Sequence, residues 1–148
     1  MNKKVIIAGL VASIVMAMME MMYEGLFGVG FWSAPIFIAA TVLRDLQTIA
    51  IPVGFSLIPV VLGMMGHMMN SVVLGVVFAV VLGRFLSTPV VGAVVGALYA
   101  LVIFFVMWYI ALPFIDPVIL SLNPVVFALS HMMWGAVLGG MVARNASR

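Results

Sequence analysis

The chain has 148 residues, of which 67% are apolar and 7% charged, where a soluble domain carries about 25% charged residues. Six basic and four acidic side chains give a net charge of +2, too few charges to supply the polar shell of a fold this size in water. The basic residues are scattered over chain ends and joints and form no phosphate-binding patch, so no nucleic-acid partner is expected. Cysteine is absent, which removes disulfides, thiolate metal sites and cysteine nucleophiles.

A helix needs about 20 mostly apolar residues to cross about 30 Å of hydrocarbon, and four segments meet this requirement. The first runs from about Val5 to Tyr23, behind Lys3 and Lys4. That start is shared with signal peptides, but the apolar run passes their usual length without a small-residue cleavage site, so an uncleaved span is expected. From Glu24 to Ala50 the pattern changes. Gly25, Gly28 and Gly30 loosen the chain, Ser33 and Pro35 offer a helix start, and Pro35–Leu46 reads as a short apolar helix. It is too short to span, so an interfacial or re-entrant helix is expected at residues 35–46, sealing the bundle or serving as a lid.

The second span lies within Ile51–Leu82, with Leu57–Val81 as its membrane part. The third is Pro89–Leu112 and the fourth Val118–Val142. With both termini cytoplasmic, Lys3, Lys4, Arg84, Arg144 and Arg148 lie inside and only Arg44 outside, as the positive-inside rule favours. Trp32, Trp108 and Tyr109 then fall near the outer boundary, where amphipathic rings sit well. The expected object is an all-α integral protein of the cell membrane, with the lipid bilayer as its first partner.

The chain also repeats itself. His67-Met68-Met69-Asn70-Ser71-Val72-Val73-Leu74-Gly75 and His131-Met132-Met133-Trp134-Gly135-Ala136-Val137-Leu138-Gly139 are identical at six of nine positions. Gly9, Ser13 and Ala17 match Gly92, Gly96 and Ala100 in spacing. This predicts one membrane domain over 1–148, made of a tandem duplicated helical hairpin. Repeat one covers 1–84, with an outer insertion at 24–50, and repeat two covers 85–148. Two spans per unit make the repeats parallel, related by a pseudo-two-fold axis along the membrane normal, so His67 and His131 share one depth near the midplane.

Small residues recur at every fourth position: Gly9-Ser13-Ala17, Ser71-Gly75-Ala79, Gly92-Gly96-Ala100 and Gly135-Gly139-Ala143. Such stripes let backbones approach closely. All four fall in the cytoplasmic half, so tight packing is expected there, and an outward cavity floored by the two histidines above it.

Ionisable groups inside a membrane are functional candidates by default. His67 and His131 have the chemistry of haem ligands, and a pair at equal depth could supply both axial ligands of a haem b, or one ligand of another tetrapyrrole. Gly63, one turn before His67, would leave room for a macrocycle, and Phe127 would stack on it. The structural alternative is hydrogen bonding between helices, with Asn70, Ser130 or Asn123 as partners.

The 14 methionines raise copper, since thioether and imidazole both suit Cu(I). The metal candidates are His67 and His131, then Met64, Met68 and Glu20, although gap filling is the commoner use of methionine. Glu20 reads either as a partner in proton or cation movement or as a carboxylate snorkelling to the interface. Glu24, Arg44, Asp45 and Asp116 read as interfacial surface charges, and Tyr99 and Trp134 as hydrogen-bonding groups in the bundle.

No phosphate-binding glycine loop, HExxH pair or GxSxG elbow is present, so catalysis by the chain alone is not expected. The reading is a binding or accessory subunit with a histidine pair at its centre. Its alternatives are a purely structural subunit of a larger membrane complex or homo-oligomer, and a transporter of a small solute or cation, copper included, entered from the outer face.

Overall fold

The computed structural model describes residues 3–146, so Arg148, counted above among the inner charges, lies outside the described residues. All regular structure among the described residues is helical. Four helices are long and apolar enough to cross a membrane: α1 (Lys3–Phe27), α3 (Leu57–Leu82), α4 (Pro89–Val106) with its continuation, and α6 (Pro124–Ala146). Between α1 and α3 stands α2 (Ser33–Ala40).

The helix ends follow local chemistry. At α4, Pro89 occupies the first turn, where its missing N–H is harmless, and Thr88 accepts from Val91 N at 3.2 Å. The fourth span starts at Pro124 rather than Val118, because Pro117–Ser121 turns as a 3₁₀ segment. Asn123 then caps α6, its Oδ1 accepting from Val125 N at 3.0 Å and Val126 N at 3.2 Å. Helix α1 runs four residues beyond the expected Tyr23 and stops where the Gly30 N–H returns to Glu24 O at 2.9 Å, with Gly30 at φ +121°. Only glycine accepts that backbone without strain.

After α4 the helix widens into a π turn, Met107–Ala111, and ends in the short α5 (Leu112–Ile115). Pro113 is the cause. A proline in a helix lacks the N–H for the carbonyl four residues back, here Tyr109, and its ring collides with it. Widening the turn relieves both conflicts.

Neighbouring long helices run antiparallel in an open arc, α3–α1–α6–α4. The inner members α1 and α6 bury 44% of their most apolar stretch, against 17% for Leu57–Phe85 and 22% for Pro89–Ile115. The α4–α6 interface is the most extensive. Gly92 faces Gly139 and Gly96 faces Gly135, so closely that a Cβ on Gly96 would lie 1.9 Å from Gly135 O. The α1–α3 interface pairs the matching positions: a Cβ on Gly75 would meet Gly9 Cα at 3.7 Å, and Ser71 Oγ donates to Gly9 O at 2.7 Å.

One contact that a strict two-fold would require is missing. Helices α1 and α6 pack together, whereas their counterparts α4 and α3 scarcely touch. Those two are linked near the small-residue end, where Tyr99 OH donates to Leu74 O at 3.0 Å and the Tyr99 ring meets Phe78 at 5.2 Å. Beyond that link they diverge.

The short helix also departs from expectation. It covers Ser33–Ala40 rather than 35–46, with Arg44–Thr48 as a separate 3₁₀ turn, and it is buried against the long helices. Ile36 and Phe37 have no exposed surface. It presses on α3 at Gly63, where a Cβ would lie 1.7 Å from Pro35 O. The glycine expected to make room for a macrocycle makes room for this backbone.

Overpacking at such a contact costs about 1–3 kcal/mol or more. Gly96→Val is therefore expected to lower stability by about 3 kcal/mol, read from unfolding in mild detergent. Gly83→Ala, at a position with no atom within 4 Å of a new Cβ, should stay within about 0.5 kcal/mol of wild type.

Candidate functional site

Helical spacing brings the polar candidates to one wall. On α1, Met16, Ala17, Glu20 and Met21 face inward; on α3, Met64, His67, Asn70 and Leu74; on α4, Ile103; and on α6, Phe127 and His131. Together with Pro35 and Ile38 of α2, they enclose a cavity of about 360 Å³. Met107, Leu112, Asp116 and Leu122 complete its other end. A recess of about 40 Å³ continues beneath, between the histidines, Ser71 and Trp134. The cavity therefore lies where α3 and α4 part, with both histidines on its wall.

Each histidine is tied to a backbone carbonyl rather than to Asn70, Ser130 or Asn123. His67 Nε2 lies 3.0 Å from Ser13 O, and His131 Nδ1 lies 2.7 Å from Phe127 O. A carbonyl only accepts, so each ring donates there, and the neutral ring keeps its other nitrogen as an acceptor. The two rings are thus held through opposite nitrogens. Phe127 does pack on His131, with centroids 4.5 Å apart and planes inclined at 56°.

Three acids are far more buried than their sequence suggests. Glu20, Glu24 and Asp116 are each 1% exposed, which corrects the expectation of a snorkelling carboxylate and two surface charges. Glu24 closes the end of α1: its Oε2 accepts from Val29 N at 2.9 Å and its Oε1 from Asn123 N at 3.1 Å. Glu20 accepts from Ser130 Oγ at 2.8 Å through Oε2, while its buried Oε1 has no partner. Asp116 accepts from Gln47 Nε2 at 2.5 Å, and Gln47 Oε1 accepts from Val118 N at 3.1 Å. Arg44 and Asp45 do lie at the surface.

Sequence reasoning missed Gln47, a lone amide that joins the insertion to the 3₁₀ turn after α5. It also missed the burial of Glu20 and Glu24, although a signal was present. Glu20 and Glu24 extend the row Ala12–Met16 at four-residue spacing, beside the row Gly9–Ser13–Ala17 that faces the bundle.

Tyr99 and Trp134 hydrogen-bond within the bundle as expected. Trp134 Nε1 donates to Ser71 Oγ at 2.5 Å, and Ser71 in turn donates to Gly9 O. Of the methionine candidates, Met64 lines the cavity and Met68 does not. Among the described residues no three His, Asp or Glu side chains are placed to hold a metal ion. The chain matches no family model, and no curated protein or solved structure is significantly similar to it.

Asp116 lies between the third and fourth long helices. Burial raises its pKa above the usual carboxylate range, against the lowering effects of the Gln47 hydrogen bond and the nearby Arg44 charge. A folded-state pKa above the unfolded one means that the folded chain binds the proton more tightly. Stability from this group is then greatest below the unfolded value and falls as pH rises through the folded one. Asp116→Asn keeps an acceptor for Gln47 but removes the titration. Unfolding in detergent across this pH range should show a flatter profile for Asp116→Asn than for wild type.

Proposed function

We propose that the chain is an integral protein of the cell membrane that binds a small ligand in the cavity between α3 and α4, with His67, His131 and Glu20 as its polar anchors. One observation carries this reading: the groups that are costly to place among apolar helices line the same cavity of about 360 Å³. That volume stands at the lower end of the roughly 300–1,000 Å³ of ligand pockets. It favours a small molecule over a bis-histidyl haem, as does Pro35 in the space at Gly63. The role is binding rather than catalysis. Transport of the bound solute would require the tightly packed glycine end to open.

Both termini on the cytoplasmic side suit the charges, since Lys3 and Lys4 open α1 while Arg84 and Arg144 close α3 and α6 at the same end. Origin by duplication of a hairpin is supported by the equivalent small-residue pairs, Gly9 with Gly75 and Gly92 with Gly139. The insertion between α1 and α3 belongs to the first copy alone.

Leu74→Trp places a ring in the cavity without touching the glycine contacts. Native mass spectrometry of protein extracted gently from membranes is expected to find one small molecule per wild-type chain and none on this variant. His67→Ala and His131→Ala should each lose the ligand while the bundle stays folded. A wild-type chain that carries nothing would leave the structural-subunit or homo-oligomer reading. A Soret band lost in both histidine variants would make the ligand a tetrapyrrole.

A further inference from the structure

Resting on that reading, we infer that the ligand is a small organic cation, a protonated amine on an apolar body, held by the free oxygen of Glu20. Oε2 is engaged by Ser130, but Oε1 is buried without any donor. A buried acceptor left unpaired costs about 1–3 kcal/mol, so the atom calls for an N–H or O–H group from outside the chain. Glu20 lines the cavity, the open space beside its side chain.

The rest of the wall narrows the chemistry. Among the described residues its acidic groups are Glu20 and Asp116; no lysine or arginine lines it, and the nearby Arg44 acts on Asp116 and not on Glu20. Such a wall repels anions and attracts cations. A divalent metal would need several oxygen or nitrogen ligands converging on one point, and no three His, Asp or Glu side chains are so placed. A quaternary ammonium would bring charge but no donor for Oε1. A primary or secondary ammonium brings both. The remaining wall, with Met16, Leu74, Ile103 and Leu112, suits an apolar body. The parting of α3 and α4 places that body beside the lipid from which an amphipathic amine would arrive.

The test uses the full chain in lipid nanodiscs, with 2-phenylethylamine as probe and 2-phenylethanol as its neutral counterpart. Binding is followed by equilibrium dialysis, in which saturable uptake is separated from partition into lipid. The amine should bind at one per chain, more tightly than the alcohol. Glu20→Gln should weaken the amine by about tenfold or more, in line with the loss of one charge-assisted hydrogen bond, and leave the alcohol unchanged. Glu20→Asp, which keeps the charge, should retain the preference for amine and answers the question if the amide variant does not fold.

Equal binding of amine and alcohol to wild type, or no change in Glu20→Gln, would overturn the ammonium assignment. If the alcohol still binds saturably and Leu74→Trp abolishes it, the cavity reading stands without it. If neither probe binds saturably, both readings fall.

Discussion

Everything in this molecule depends on how closely two helix backbones can approach. Lipid chains are as apolar as leucine, so burying apolar surface gives helices among lipids little reason to associate. Close van der Waals packing has to replace that force. At Gly92, Gly96, Gly135 and Gly139 nothing larger than the methyls of Ala100 and Ala143 stands between α4 and α6, and carbonyls lie where a Cβ would have to be. The pair α4–α6 stays packed to its far end through Phe104, Trp108 and Phe127, and the bundle opens between α3 and α4 instead. The cavity and its lining lie on the side to which the bundle opens.

The polar groups occupy places where their needs are met locally. Glu24 accepts the N–H groups that a helix end and a turn would otherwise leave unsatisfied. Gln47 and Asp116 fasten the insertion to the turn after α5, with Arg44 Nη1 donating to Ile115 O at 2.5 Å beside them. Trp134 donates to Ser71 and Ser71 to the Gly9 carbonyl, a relay across α6, α3 and α1. Against this background Ser33 Oγ and Glu20 Oε1 stand out as buried atoms without a partner, and in Glu20 only half of the carboxylate is satisfied within the chain. Partly satisfied buried groups carry a large penalty in a low-dielectric interior, and such a penalty persists at sites where something else supplies the missing partner.

Much of the architecture could be read from the residues. Apolar length located four long helices, four-residue spacing of small side chains located the contacts, and the repeated His-Met-Met motif brought two histidines to one wall. What escaped was set by contacts between distant segments. Nothing near Gly63 reveals that Pro35 fills it, since the two meet only once the insertion folds back. Glu24 and Asp116 flank apolar helices and look like boundary charges, yet each is buried by a partner far along the chain: Asn123 for one and Gln47 for the other. The fourth helix starts later than hydropathy implies because Val118–Leu122 is apolar enough to pass for its first turns. Hydropathy alone does not register the prolines at 117 and 124.

The π turn at Met107–Ala111 has an effect well beyond its own five residues. Gly92, Gly96, Ala100, Phe104, Trp108, Leu112 and Asp116 are all buried at a constant spacing of four. In an unbroken α-helix, at about 100° per residue, such a row slips by about 40° at each step and winds off the inner face. A turn that takes up more than 3.6 residues cancels part of the slip. The wide turn thus works as a phase corrector: it lets one helix meet α6 through bare glycine at its base and still point an acid into the cavity at its far end. Removing one residue from it would rotate Leu112 and Asp116 by about 100° and turn a cavity wall outward.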